Sequence, residues 1–562
     1  MTAAARPRRR GLALQVAVPV AALAILALPI AAGLWLTFCA AFGWFPAIGA
    51  TEPGLGPWRD LLAEPGLATS LRLTLWTGIG SAALSLGLAL SVVAVLPGRA
   101  GRVLAPFLAV PHAAMAIGLA FVLAPSGWIA RLLAPLAGWD RPPGFALVGD
   151  PAGLALILGL AVKETPFLIF VSLAALGQIG APRQMAAARA LGHDPGAAWL
   201  KVILPRLWPL IRLPVMVVLA FSLSVVDMAL ILGPSTPPTL AVRLARAFAE
   251  PDLARMLPAS AGAVLQMALT GLVLAGLGLV ASGVARAGRV WIRRGGRGHG
   301  TGAALRLPVA LAVGLAAAGA LAVLSLTLWS FAWRWPWPAL LPQVWSPDLW
   351  PRVLASAGGP LVTTLGLAAA TTAAAILLAV LWLEATDRAG VPRGERVALY
   401  LPLLLPQIGF VAGLNTFFLR LGLPPGPVAV AWAQMLTVFP YVMIALADPW
   451  RRLDPRLPAT AAALGLGPWR RLWRVKLPVL AAPLLAAAAV GIAVSVAQYL
   501  PTLIVGAGRV RTLTTEAVAL SSGADRRIAG AWAALQAAVP LLGFVAAAAV
   551  PAIMHRNRRG LR

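Results

Sequence analysis

Apolar runs of about twenty residues or more recur along the whole chain, separated by short polar turns. A helix needs about 20 such residues to cross a hydrocarbon core about 30 Å thick, with every backbone polar group satisfied inside the segment. Twelve runs meet this description. Six lie near 14–38, 70–96, 103–125, 152–179, 205–232 and 260–284, and six near 306–333, 361–384, 398–420, 426–447, 478–503 and 531–553. Of the 562 residues 60% are hydrophobic and 11% charged. No water-soluble packing hides that much apolar surface, and a disordered chain needs the opposite composition. The sequence predicts an all-α, polytopic membrane protein.

Charge orients the spans. Lys+Arg number 46 against 18 Asp+Glu, a net +28. Lys163, Lys201 and Lys476 are the only lysines, so the excess is arginine, read as compositional drift and not as a nucleic-acid surface. Basic residues collect on the cytoplasmic side of short loops. Placing Arg6, Arg8, Arg9, Arg10 and the tail 555–562 inside puts most basic residues there and requires an even number of spans. Both termini are therefore expected in the cytoplasm. The first apolar run exceeds the usual signal-peptide core and is read as a span. Cys39 is the sole cysteine; it follows the bulky Phe38 and is read as an unmodified thiol. The histidines (His112, His193, His299, His555) have no metal-ligand spacing, and no metal or cofactor is expected.

The chain reads as two copies of one unit. Residues 286–306 hold six arginines, many glycines and no acid, the composition of a flexible cytoplasmic linker. This linker separates a first repeat, 1–285, from a second, 307–562. Gly192 and Gly465 are 273 positions apart, as are Pro205 and Pro478, Gly233 and Gly506, and Thr239 and Thr512. Equal orientation makes this a parallel repeat, with a pseudo-twofold axis along the membrane normal.

After the fourth span of each half comes a segment too polar to cross: QMAAARALGHDPGAAWLKVILP at 184–205 and ATAAALGLGPWRRLWRVKLP at 459–478. Each reads as helix, glycine turn, helix. An Ala-rich run favours helix, Gly192 or Gly465 supplies a left-handed stop, and Asp194-Pro195 or Gly467-Pro468 starts the next helix. A basic interfacial helix is the plainer reading of one copy; two copies at equal spacing favour a coupling role.

These segments resemble the coupling loops of bacterial ABC importer permeases, whose pattern is Glu-Ala-Ala, three residues, Gly, nine residues, Ile, one residue, Leu-Pro. Here Ala186-Ala187-Ala188, Gly192, Val202 and Leu204-Pro205 match it, as do Ala459-Thr460-Ala461, Gly465, Val475 and Leu477-Pro478. The leading acid is replaced by Ala186 and Ala459, which removes any salt bridge it would make. The resemblance spans the chain and is nearest to fused double-length permeases of the ferric iron and thiamine type, in particular the YnjC-like branch. Residues 511–527 and Lys163-Glu164-Thr165-Pro166 contribute to it. It implies a multi-pass protein of the bacterial inner membrane, with coupling loops at 183–205 and 456–478. The implied partners are two cytoplasmic ABC ATPase subunits, one under each loop, and an extracytoplasmic solute-binding protein. The implied coupling residues are Ala187, Ala188, Gly192, Leu204, Pro205, Ala461, Gly465, Leu477 and Pro478.

The chain itself is not expected to be an enzyme. A phosphate-binding loop needs Gly-Lys-Ser/Thr, and the three lysines follow Val162, Leu200 and Val475. Close acid pairs (Asp60/Glu64, Glu250/Asp252, Glu384/Asp387) have no neighbouring histidine in sequence, which argues against a membrane-embedded transferase. Polar residues at membrane depth are candidates for the path of a small-molecule or ionic solute. Asp227 lies about 33 Å beyond Pro205 along a helix, and Gln498 about 30 Å beyond Pro478. Lys163 and Glu164 fall mid-span, where a tie to a neighbouring helix competes with solute contact; Gln407, Asn415 and Tyr499 are weaker candidates. The alternative is a secondary transporter of the major facilitator type, which also has twelve spans in parallel halves. Residues 387–390 and 98–102 resemble its loop between second and third spans, but that family has no paired segment before the fifth.

Overall fold

The computed structural model describes residues 9–98, 100–298, 301–389, 401–523 and 525–554. The basic residues Arg6 and Arg8, the histidines His299 and His555, and positions 398–400 of the expected ninth span lie outside them. The protein is all-α and polytopic: among the described residues, strand is confined to Ala332–Arg334 paired antiparallel with Val344–Trp345. Ten helices are long and apolar enough to cross a membrane, or eleven if the bent pair Pro468–Val479 and Ala481–Ala497 is one span. Twelve were expected; of the run near 398–420 the structure gives the short helix Ile408–Arg420.

Four of the expected spans are interrupted. The run near 103–125 is divided into helices Ala100–Ala109 and His112–Leu123, and Trp128–Ala137 then extends that segment. Pro111 lacks an N–H and pushes its predecessor out of the helical region, which ends the first piece. Pro406 sits just before the Ile408–Arg420 helix in the same way. The run near 205–232 stops at Ser224 and resumes as Asp227–Leu232. The run near 478–503 stops at Ala497 and resumes as Leu500–Gly506. There Pro501 cannot donate to the Ala497 carbonyl and its ring crowds it. Pro483 does the same to Val479, beside the 77° bend.

The 273-residue offset reappears in the helix ends. Ser224 and Ala497 end helices, Asp227 and Leu500 begin them, and Leu240 and Leu513 begin the next ones. The Leu240 amide donates to Thr74 Oγ1 at 2.9 Å, and the Leu513 amide to Thr364 Oγ1 at 2.9 Å.

Where helices cross, small residues let backbones touch. The helix Arg9–Ala41 lies along Ile408–Arg420, and a Cβ on Gly33 would stand 2.6 Å from the Phe410 carbonyl oxygen. A Cβ on Gly413 would collide with the Gly33 carbonyl. In the same manner Arg306–Phe331 lies along His112–Leu123, with Gly118 against the Ala322 carbonyl. At the opposite end from residues 181–206, the buried Arg131 guanidinium donates to the carbonyls of Ser126, Trp335, Pro336 and Ala339, pinning the segment after Phe331. Overpacking a tight crossing costs about 1–3 kcal/mol. Gly413→Val is therefore expected to lower the thermal midpoint in detergent. Gly314→Val, where a Cβ meets nothing within 4 Å, is expected to leave it unchanged.

Candidate functional site

The four interruptions meet at one cavity of about 150 Å³. Its wall includes Ser224–Asp227 from one interrupted span, Ala497–Leu500 from the other, and the residues after the two prolines, His112 and Gln407. Thr437 and Tyr441 complete the polar lining. Of the residues singled out in sequence, Asp227, Gln498, Gln407 and Tyr499 are brought together here; Asn415 is half-buried elsewhere. Gln407 Nε2 donates to Gln498 Oε1 and Thr437 Oγ1, each at 3.3 Å. Behind Gln498 a polar chain fixes the break: Thr502 Oγ1 donates to the Gln498 carbonyl at 2.8 Å and accepts from Gln434 Nε2 at 2.9 Å, and Ser495 Oγ donates to Gln434 Oε1 at 2.7 Å. Asp227 is 8% exposed and opens a short helix, where the amide dipoles favour an anion. Among the described residues its carboxylate has no ion-pair partner.

Lys163 does not line the cavity. Its ammonium donates to the carbonyls of Phe107, Leu108 and Val110 at 2.8, 3.3 and 2.6 Å, the groups set free where Pro111 ends the helix. Glu164 stands one step behind the wall, with Oε1 3.1 Å from His112 Nε2. His112, Thr437 and Tyr441 were not anticipated in sequence. The available signal was position: His112 and Gln407 each follow the proline that breaks an otherwise apolar run.

The two polar segments fold alike. Helix Ala181–Ala190 ends at Gly192 (φ 82°), and helix Arg456–Ala463 at Gly465 (φ 84°), the left-handed backbone that glycine adopts without strain. The His193 and Leu466 amides reach back to the carbonyls of Ala188 (3.2 Å) and Ala461 (3.0 Å), and the Gly192 and Gly465 amides to Arg189 (2.9 Å) and Ala462 (3.0 Å), closing both helix ends. Ala188 and Ala461 are buried, Ala187 is exposed. The following helix then widens into a π turn at Trp199–Ile203 and at Leu472–Lys476. Pro205 and Pro478 explain it: with no proline N–H to continue the ladder, the amides of Leu204 and Leu477 bond one residue further back, to Trp199 and Leu472.

Asp194 caps the first segment, accepting from the Gly196 amide at 3.1 Å. Its carboxyl is held below the ordinary aspartate range, first by the Thr301 hydroxyl and then by the amides of Gly196, Gly302 and Ala197, against the opposing effect of desolvation. The second segment is tied differently. Lys476 Nζ lies 2.6 Å from Glu384 and 3.0 Å from Asp387, which also accepts from Trp450 Nε1 at 2.8 Å. The acid pairs noted in sequence thus serve ion pairs: Glu384 with Lys476 and Arg388, Glu64 with Arg243, Glu250 with Arg255.

Leaving a buried acceptor without its donor costs about 1–3 kcal/mol. Lys163→Met orphans the carbonyls released at Pro111 and is expected to lower the thermal midpoint in detergent, whereas Asp227→Asn is expected to leave it near the wild-type value. Equal midpoints for Lys163→Met and the wild type would count against this tie.

No family model matches the chain. It is 33% identical over 522 residues to the inner membrane ABC transporter permease protein YnjC of Escherichia coli (strain K12), an alignment covering 92% of this chain and 94% of that protein. The protein is accordingly a multi-pass inner membrane protein and itself a transporter component. With broken helices around a polar cavity and that extent of identity, the chain belongs to the inner membrane ABC transporter permeases.

Proposed function

We propose that the chain is the transmembrane permease subunit of an ATP-driven importer, built from two parallel repeats, 1–285 and 307–562, joined by the linker 286–306. The central cavity is the solute path, with Asp227 and Gln498 as its polar residues. The segment shaped by Ala187, Ala188, Gly192, Leu204 and Pro205 couples to one separate ATPase subunit; the segment shaped by Ala461, Gly465, Leu477 and Pro478 couples to another. ATP hydrolysis belongs to those subunits, and an extracytoplasmic binding protein delivers the solute. Both termini and both segments then face the cytoplasm.

The observation that supports this reading best is the repetition of a rigid helix, left-handed glycine and π turn at a fixed offset, each continuing toward a span that breaks at the cavity. A push on either segment has a direct mechanical route to the cavity wall. An unpaired carboxylate at Asp227 favours a cationic solute, thiamine being one such cation. Lys163 is absent from the path in this reading, and Glu164 acts through His112.

A β-branched residue at positive φ is strained by about 1–2 kcal/mol. The double variant Gly192→Val/Gly465→Val is expected to reach the membrane in normal amount but to lose uptake while ATP hydrolysis by the complex continues, measured side by side in proteoliposomes. Normal coupled uptake by that variant would overturn the coupling role. Uptake by the permease alone, driven by a proton gradient without an ATPase, would favour a secondary transporter of the major facilitator type.

A further inference from the structure

The two coupling segments differ on one face. The 273-residue offset sets Gly196, Ala197 and Ala198 against Trp469, Arg470 and Arg471. Ala197 and Ala198 are fully buried, whereas Trp469 is 47% exposed and Arg470 is exposed.

The cover over the first segment is the chain's own linker. The Asp194 amide donates to the Arg297 carbonyl at 3.1 Å, and the Asp194 carboxylate accepts from the Gly302 amide at 2.9 Å and from the Thr301 hydroxyl. Lys201 donates to the Gly296 carbonyl and stands 4.4 Å from the Trp291 ring centroid. Side chains on either strand of this contact would prevent it. A Cβ on Gly196 would meet the Thr301–Gly302 backbone at 2.5–2.7 Å, and a Cβ on Gly298 would meet Ala197 Cβ at 2.6 Å. At Gly465 and Gly467 of the second segment a Cβ would meet nothing within 4 Å. The linker leaves Arg293, Arg294 and Arg297 exposed beside the first segment; the second presents Arg470 and Arg474 of its own. The small residues that admit the linker thus give up local basic side chains, and the linker returns guanidinium groups to the same neighbourhood.

We propose that linker residues 293–298, together with Thr301 and Gly302, form part of the docking face of the first coupling segment. One ATPase subunit then meets a composite surface of segment and linker, and the other meets residues 456–478 alone. The partner surface at the composite site carries carboxylates that face Arg294 and Arg297. This proposal rests on the coupling reading above, and its test separates the two.

The tagged permease is purified in mild detergent from its native membranes, and ATP hydrolysis per permease in the eluate is the readout. Arg294→Glu/Arg297→Glu alters exposed side chains and is expected to reduce the retained activity by a share comparable with Arg470→Glu/Arg474→Glu. Wild-type retention by the linker variant, with loss in the second-segment variant, overturns the composite face while sparing the coupling role. Wild-type retention by both variants, or no ATPase with the wild type, overturns the coupling reading and this proposal with it. Gly196→Val, whose side chain would meet the Thr301–Gly302 backbone, is expected to release the linker and speed trypsin cleavage at Arg293, Arg294 and Arg297 in inside-out membranes. A folded variant cleaved at the wild-type rate would refute the contact.

Discussion

A backbone buried in hydrocarbon must satisfy every N–H and C=O, so a spanning helix breaks only where its freed groups find partners or border a polar space. This constraint organises the protein. The freed carbonyls at Pro111 are taken by Lys163, the break after Ala497 is held by Gln434, Ser495 and Thr502, and all four interruptions border one cavity. A charged residue at membrane depth is thereby explained by helix termination, with no solute contact required. Asp227 remains the carboxylate that such bookkeeping does not consume.

Much of the architecture was legible because its signals are one-dimensional. Run length gave the spans, and the Gly192 and Gly465 stops were read from an Ala-rich helix followed by glycine; both glycines adopt the left-handed backbone. What was not legible is where the helices break. Pro111, Pro406 and Pro501 stood in the sequence, but prolines at 209 and 214 lie inside an unbroken helix, so proline alone does not decide. Val225-Val226 contains neither proline nor glycine, and its break depends on tertiary surroundings. His112 and Tyr441 were missed for the same reason: what makes them cavity residues is the meeting of distant helices, which no local pattern encodes.

The two polar segments show how one plan tolerates divergence. Each needs an anchor against the rest of the molecule, and each has found a different one. Lys476 uses the buried carboxylate of Glu384 and the half-exposed one of Asp387, whereas Lys201 uses a linker carbonyl and the Trp291 ring. The shared backbone is set by glycine and proline, which act through conformation; the anchors act through side-chain chemistry and were free to differ.

The crossing of Gly33 with Gly413, mirrored by Gly118 with Ala322, means that the opening helix of each half lies in the groove of the other. Neither half is a closed body by itself. Translated as separate polypeptides, two such halves would each expose an unfilled groove and a stray helix, and like could pair with like. Covalent continuity makes the correct exchange intramolecular, so stoichiometry and pairing are settled before any encounter in the membrane is needed.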